Sequence, residues 1–247
     1  MELTLGAVVR RGLIAGAVAG VVASLVALIA VEPAIRKALA VEEARSSHGE
    51  EHEELVGRTM QVVGGMVAAV AVALCVGLVV AIVFAKIRHR LPGTTDFGRA
   101  GTLAACGFVA IALVPAVKYP ANPPGVGDPA TINTRTLQYA TLIAASIAVL
   151  SLAFLVRATV AKRGWQPAPA AVAAVVVAVV GSVLLVVIWP DSPDSVPGDV
   201  SATLLWQFRI ASIGELAALW ATLGLTLGLL LTSPRTAGTT PRVEAGV

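Results

Sequence analysis

Long apolar segments alternate with polar ones along the whole chain. Each apolar segment holds about 17 to 24 residues, and about 20 apolar residues span the hydrocarbon core of a bilayer as an α-helix. The pattern therefore predicts an all-α membrane protein with six transmembrane helices and with acidic, proline-rich loops on one side. The predicted helices cover residues 12–31, 62–85, 101–117, 137–156, 170–189 and 210–231.

The composition agrees with this class and excludes a soluble domain. Of the 247 residues, 57% are hydrophobic and 13% are charged, whereas soluble domains carry about 25% charged residues. The net charge of +3 would suggest a nucleic-acid partner in a soluble protein. In a membrane protein, excess Lys and Arg instead mark cytoplasmic loops. We therefore expect the lipid bilayer as a partner, and no nucleic acid.

The distribution of basic residues predicts the orientation of the chain. With the N-terminus in the cytoplasm, eleven of the 18 basic residues lie on the inner side, in agreement with the positive-inside rule. Eleven of the 15 acidic residues then lie outside. We expect both termini in the cytoplasm and one polytopic transmembrane domain over residues 1–231. The Thr-, Pro- and Gly-rich residues 232–247 are expected to form a disordered cytoplasmic tail.

The first predicted outer loop carries a cluster of histidines and acids. In a helix, His48 and His52 would share one face, with Glu50 and Glu51 beside them. Imidazole and carboxylate together suit divalent first-row metals such as cobalt, nickel and zinc. The cluster is a candidate site for metal capture. The alternative, which is common for short clusters of this kind, is a solvated acidic loop.

Polar side chains near the predicted helix ends are candidates for an ion path. Glu32 directly follows the first apolar segment, and Gln61 precedes the second on one helical stripe with Arg58 and Gly65. The preferred interpretation of Arg58 is an interfacial anchor. Glu215 lies about one turn inside the last segment, where an acid is by default a functional candidate. The alternative for Glu215 is a residue at the membrane interface.

A proline-rich stretch at residues 118–135 lies between the third and fourth apolar segments. It holds four prolines, which bar a regular helix and fix the course of the backbone. Lys118, Asn122 and Asp128 are candidates to line an ion entrance, and the alternative is a rigid structural lid. Trp206 and Arg209 stand where the last helix meets the interface, which is typical of an aromatic belt.

Sequence signatures of catalysis are missing from the chain. There is no nucleotide-binding loop of the GxxxxGK[ST] type and no Ser, His and Asp set that converges. We therefore expect neither an enzyme nor an ATP-driven pump contained in this one chain, and no resident cofactor.

Four stretches resemble the CbtA family of bacterial cobalt transporter subunits, and the proline-rich stretch is the most specific of them. Together they cover almost the whole chain except the tail. The resemblance implies a multi-pass protein of the bacterial inner membrane that takes up cobalt for cobalamin synthesis. It also implies a small single-helix partner protein with a histidine-containing metal motif. The stretches read RRGLIAGAVAGVVASL, ELVGRTMQVVGG, KYPANPPGVGDPATINTRT and LLWQFRIASIGELAALWATLGL.

The resemblance further implies which candidate positions are family-like, although no ligand role comes with them. It implies a neutral polar residue where Glu215 stands. It also implies a loop of variable length, often rich in His and acids, around His48 and His52. The family-like positions are Glu32, Gln61, Lys118, Asn122, Asp128, Trp206 and Arg209.

Two functional hypotheses follow from the sequence. The leading one is a membrane permease subunit for uptake of a divalent cation, Co²⁺ for cobalamin synthesis, with the ion as cargo. The alternative is a non-transporting membrane scaffold that organises the His-bearing single-helix partner or another transporter. The sequence does not separate cobalt from nickel, and it leaves open whether the chain forms a homo-oligomer.

Overall fold

The computed structural model describes residues 4–46, 57–194 and 196–232. Within these ranges the regular elements are all helical, which confirms the predicted all-α class. Two π-helical segments, Ala27–Val31 and Phe108–Leu113, and two short 3-10 segments, Arg88–Arg90 and Pro129–Thr131, join the α-helices. The α-helices are α1 (Leu5–Val26), α2 (Glu32–Ser46), α3 (Arg58–Ile87), α4 (Asp96–Gly107), α5 (Val114–Lys118), α6 (Ile132–Lys162), α7 (Pro167–Ile188) and α8 (Ala202–Leu231).

Six helices in the described part of the chain are long and apolar enough to cross a membrane, as the sequence predicts. Two of them are composite, because α1 continues into α2 and α4 continues into α5 through a π-helical segment. The cytoplasmic position of both termini stays a prediction, as does the disordered tail. The six helices are Leu5–Ala44, Arg58–Arg90, Asp96–Lys118, Pro129–Lys162, Pro167–Ile188 and Ala202–Leu231.

Each π-helical segment ends two residues before a proline. Ala27–Val31 precedes Pro33, and Phe108–Leu113 precedes Pro115. Proline lacks the N–H that an α-helix needs, and its ring crowds the carbonyl four residues earlier. A π-helical turn widens the helix locally, so the chain passes each proline without a break. The first apolar segment ends at this turn, but the helix itself continues into the polar α2.

The centre of the fold is a four-helix group in which α1 lies between α3 and α8, and α4 packs on α8. Small residues allow the close approach of α1 and α3, as is usual between membrane helices. A side-chain carbon placed at Gly16 would lie only 2.5 Å from the carbonyl oxygen of Ala73. Helices α6 and α7 pack on each other and join the group through α5 and the second π-helical segment.

One end of the bundle carries both proline-containing loops, residues 119–131 and 189–201, and we call this end the loop face. The end of the first composite helix and the start of α8 also lie there, because Lys37 donates a hydrogen bond to the amide oxygen of Gln207 at 3.2 Å. The loop face is the side that the charge distribution predicts to be extracellular. The candidate residues of the proline-rich loop therefore lie at the same end of the bundle as the starts of α3 and α8.

Candidate functional site

A cavity of about 270 Å³, which we call the carboxylate cavity, opens between α1, α2, α3 and α8 near the loop face. Most of its wall is aliphatic, with the first π-helical segment on one side. Its polar lining comes from three of the spanning helices, namely the first composite helix, α3 and α8, so only the folded chain brings these groups together. The polar side chains that line it are Ser24, Glu32, Arg58, Gln61 and Glu215.

Glu32 is the most constrained of these groups. It is only 7% exposed, and an isolated buried carboxylate would be unfavourable without charged partners. Arg58 supplies two donors: its Nε lies 3.2 Å from Oε1 of Glu32, and its Nη2 contacts Oε2 closely. Arg36, one helical turn after Glu32, donates from Nε to Oε1 at 2.9 Å. Glu32 is therefore held by two guanidinium groups.

Arg58 also holds the amide of Gln61. Its Nη1 donates to Oε1 of Gln61 at 2.9 Å, so one guanidinium occupies two polar groups of the cavity. The interpretation of Arg58 as an interfacial anchor stays a prediction, and the structure adds that its guanidinium contacts Glu32 across the gap between α2 and α3. The shared stripe of Arg58, Gln61 and Gly65 was a usable signal, since all three line the cavity.

Glu215 contributes a second carboxylate to the same cavity from α8. Across residues 4–46, 57–194 and 196–232, its carboxylate has no hydrogen bond or ion pair. Arg209, six residues earlier on α8, is engaged elsewhere: its Nη2 donates to Oδ1 of Asn122 at 3.0 Å. Of the two carboxylates in this cavity, Glu215 is thus the one that is free to accept a cation.

Ser24 on α1 completes the polar lining of the cavity. Ser24 is buried on α1 and donates from Oγ to the carbonyl of Met66 on α3 at 3.3 Å. This bond leaves the lone pairs of the hydroxyl oxygen as acceptors. Sequence reasoning missed Ser24, because a serine within an apolar helix of small residues gives no signal beyond packing.

The two loops of the loop face are clasped to each other by charged and polar contacts. Nζ of Lys118 lies 2.6 Å from Oδ1 of Asp191, and the hydroxyl of Tyr119 donates to the carbonyl of Pro190 at 2.6 Å. Both bonds join residues that are more than 70 positions apart in the chain. Lys118 is therefore committed to a structural contact in this state.

Asp194 is the second anchor of this clasp. Its side chain is 4% exposed and lies 2.7 Å from Nη1 of Arg135. The hydroxyl of Thr131 donates to Oδ1 at 2.7 Å, and the amide of Asp128 donates to it at 3.3 Å. Burial raises the pKa of the Asp194 carboxyl, but these hydrogen bonds and the Arg135 charge outweigh it and hold the pKa below its ordinary value.

The proline-rich loop itself is shaped by local hydrogen bonds and two glycines. The carboxylate of Asp128 accepts from the amide of Ala130 at 2.8 Å and so caps the short 3-10 segment. Gly125 and Gly127 have φ values of +74° and +126°, which side-chain-bearing residues rarely adopt. In this state Asp128 shapes the loop through its carboxylate.

A second cavity of about 560 Å³ lies under the loop face. It is lined by Asn122 and Arg209, together with Arg135 and Asp194. It opens toward the same end of the bundle as the carboxylate cavity, but their linings share no residue. Arg135 and Asp194 had no signal in the sequence, because their contact joins the start of α6 to a loop that is distant along the chain.

The structure thus places the sequence candidates in different environments. Glu32, Gln61 and Glu215 meet in the carboxylate cavity, and Asn122 and Arg209 line the cavity under the loops. Trp206 lines neither of them and is 66% exposed on α8. Lys118 and Asp128 make the loop contacts described above. His48, His52, Glu50 and Glu51 lie outside the described residues.

The donor set of the carboxylate cavity limits what it can hold. In the part of the chain that the structure describes, no group of three or more His, Cys, Asp or Glu side chains is placed to hold a metal ion. The cavity combines two carboxylates with amide and hydroxyl oxygens, which are the ligands of hard divalent cations. This arrangement suits weak and reversible binding better than a closed structural metal site, which usually has four ligands.

One of three comparisons with known proteins gives a match. The family model described as "Probable cobalt transporter subunit (CbtA)" matches residues 5–232, which include all six apolar helices and both cavities. Comparison with curated proteins and with solved structures gave no match. A transporter subunit is not an enzyme class, and the word subunit implies a partner within a transporter complex. The chain is a multi-pass membrane protein that belongs to the CbtA family of probable cobalt transporter subunits.

Proposed function

We propose that the chain is a permease subunit that takes up a divalent cation, Co²⁺ for cobalamin synthesis, across the bacterial inner membrane. The observation that carries the proposal is the cavity that Glu32 and Glu215 share between spanning helices. Ionisable residues within membrane helices mark ion pathways in many transporters. Membership of a cobalt transporter family supports cobalt as the cargo.

The oxygen donors of the cavity fit a transport role. Conduction requires a site that binds an ion strongly enough to admit it and weakly enough to release it. Two carboxylates with the oxygens of Gln61 and Ser24 meet this requirement, because none of them is a soft ligand that would trap cobalt. Such oxygen ligands discriminate poorly between first-row metals. We therefore assign cobalt selectivity to imidazole groups elsewhere.

Imidazole groups are available in the first outer loop and in the partner. His48 and His52, with Glu50 and Glu51, form the capture site of this proposal, and the His-bearing single-helix partner would add further imidazole. The acidic loop would raise the local concentration of cations at the loop face. Asn122 and Arg209 would then flank the way from the loops to the membrane helices.

Uptake of radioactive cobalt tests the proposal directly. Cells that lack the gene and cells that carry it are compared at low external cobalt, with nickel added as a competitor. We expect uptake of radioactive cobalt that depends on the gene. Unlabelled cobalt, added as a competitor in a parallel sample, should suppress this uptake better than nickel does. Equal uptake by the two strains overturns the permease function, and equal suppression by both metals overturns the assignment of cobalt.

A scaffold remains the second candidate, and the arginines around Glu32 favour it. Arg58 and Arg36 both pair with Glu32, so one of the two carboxylates in the cavity is already neutralised in this state. Ion pairs of this kind are also expected in a protein whose polar groups only hold its helices together. Reconstitution in liposomes separates the two functions. Cobalt flux with this chain alone, or with the single-helix partner only, supports a permease. Flux that appears only when another complete transporter is present supports the scaffold.

A further inference from the structure

We propose that Arg58 is a tethered counter-cation. Its guanidinium occupies the cation site when no metal ion is bound, and a divalent cation displaces it and binds between Glu32 and Glu215. This inference rests on the proposed function and adds a residue that controls binding and selectivity. It follows from three features of the structure, namely the contacts of Arg58, the charges of the cavity and the position of Arg58 on α3.

The contacts of Arg58 take up the oxygens that a cation would use. Its guanidinium donates two hydrogen bonds to the carboxylate of Glu32 and a third to the amide oxygen of Gln61. Forked contacts of this kind are among the stronger ones that a carboxylate makes in proteins. A cation that binds Glu32 and Gln61 must therefore replace Arg58.

The charges of the cavity favour replacement by a divalent ion. When both are ionised, Glu32 and Glu215 together carry two negative charges, and Arg58 neutralises one of them. A divalent cation that displaces Arg58 neutralises both carboxylates. A monovalent cation neutralises only one of them, as Arg58 does, and so gains nothing in charge balance by displacing it. Arg36 also contacts Glu32, but its side chain is 69% exposed, so water screens its charge. Arg58 thereby becomes a barrier that selects against monovalent cations.

The position of Arg58 allows it to leave without moving a helix. It is the first residue of α3 and follows Gly57, beside which the described part of the chain places no atom within 4 Å of an added side-chain carbon. Its side chain is already 31% exposed, and a long arginine can extend to bring its charged end to water. Side-chain rotation of this kind is fast compared with helix motion. The displaced guanidinium would therefore be solvated rather than buried without a partner.

Competition between Arg58 and the cation has a thermodynamic consequence. Two cations that compete for one carboxylate weaken each other's binding, and removal of one must tighten binding of the other. Arg58→Gln should therefore bind Co²⁺ about tenfold more tightly than the parent chain, because couplings between sites are typically about 5- to 150-fold. The same variant should lose discrimination, so that Na⁺ competes with Co²⁺ at lower concentration.

Calorimetric titration of the full-length chain in lipid nanodiscs with Co²⁺ tests this inference. The variants are Arg58→Gln, Glu215→Gln and, as a charge-matched control, Arg10→Gln on the exposed surface of α1. All chains in this titration also carry His48→Ala and His52→Ala, so that the proposed capture site does not contribute to the heat. We expect tighter binding in the first, binding lost in the second and parental binding in the third. Parental or weaker Co²⁺ affinity in folded Arg58→Gln overturns the inference.

A second variant covers the case in which Arg58→Gln does not fold. Arg58→Lys keeps the charge but loses the fork of donors, so we expect an affinity between those of the parent and the Gln variant, with discrimination against Na⁺ retained. Affinity that is no tighter than the parent's overturns the inference. Failure of the permease function is distinguishable, because it appears as gene-independent uptake in cells, whereas the titration measures binding to the purified chain.

Discussion

Arg135 and Asp194 form an ion pair, 2.7 Å between Nη1 and Oδ2, that joins the start of α6 to the loop before α8. The pair lies under the loop face, where Asp194 also accepts hydrogen bonds from Thr131 and from the amide of Asp128. One carboxylate thus ties the proline-rich loop to a segment more than 60 residues away. The two loops should behave as one unit.

Removal of this carboxylate should loosen the loop face. We expect Asp194→Ala to lower the free energy of unfolding by about 1–3 kcal/mol, because it leaves the partly exposed guanidinium of Arg135 and the hydroxyl of Thr131 without their acceptor. The melting temperature of the detergent-solubilised chain, followed by size-exclusion chromatography after heating, measures this effect.

Asp191→Ala is the matched control for that experiment. Asp191 pairs with Lys118 on the same face, and its carboxylate is 94% exposed, whereas the Lys118 side chain is 9% exposed. When Asp191 is lost, the long flexible stem of Lys118 can bring its ammonium to water. We expect a much smaller change in melting temperature than for Asp194→Ala. Equal losses in the two variants would mean that Asp194 does not anchor the loops.

Acid should release the same contact. Because the folded pKa of Asp194 lies below its ordinary value of 3.8, the ionised carboxylate stabilises the fold fully at pH above that value, and this contribution is lost as the pH falls through the lower folded pKa. We expect the melting temperature of the parent chain to fall below pH 3.8 more steeply than that of Asp194→Asn. Parallel curves for the two proteins would contradict this assignment.

The six spanning helices were predictable because hydropathy reports burial in lipid directly. The polar continuation of the first helix was not predictable in the same way. Glu32–Ser46 is rich in residues such as Ala, Glu, Arg and Lys, which favour helix but give no apolar signal. The predicted first helix ends at residue 31, two residues before Pro33, and the chain instead continues as a helix past this proline after a π-helical turn.

The candidate site was predictable in its parts but not in its assembly. Glu32, Gln61 and Glu215 stood out because each is polar near an apolar segment. That Glu32 pairs with Arg58 across 26 residues and that Arg209 binds Asn122 across 87 residues depends on helix packing, which local periodicity does not report. The six-residue separation of Arg209 and Glu215 did indicate correctly that they are not same-face partners.

Close packing of α1 on α3 gives a prediction about glycine. Gly16→Ala should cost about 1–3 kcal/mol, because the added carbon would lie 2.5 Å from the carbonyl oxygen of Ala73 and the two backbones must separate. Thermal unfolding in detergent measures the loss. Gly101→Ala on α4 is the control: among the described residues no atom lies within 4 Å of the added carbon, so we expect unchanged or slightly higher stability.

The role of Glu215 in uptake can be tested without removing its shape. Glu215→Gln keeps the size of the side chain but removes the carboxylate that the rest of the described chain leaves unpaired. We expect the initial rate of cobalt uptake at low cobalt to fall about tenfold or more, which corresponds to about 1.4 kcal/mol of lost cation stabilisation.

Glu43→Gln is the control for that loss of charge, because Glu43 is an exposed acid on α2 outside both cavities. Its uptake should match that of the parent strain when both proteins are present at equal amounts in the membrane. A parental rate in Glu215→Gln would remove Glu215 from the ion path and leave the carboxylate as an interface residue.

The histidines of the first outer loop should affect affinity rather than maximal rate. In the proposed mechanism His48 and His52 gather cobalt before it reaches the membrane helices, so their joint replacement by Ala should raise the cobalt concentration for half-maximal uptake severalfold and leave the maximal rate intact. His89→Ala is the control, because His89 lies in the 3-10 segment at the end opposite the loop face. Kinetics that match the control would assign His48 and His52 to a solvated acidic loop, whereas loss of the maximal rate would place them on the ion path itself.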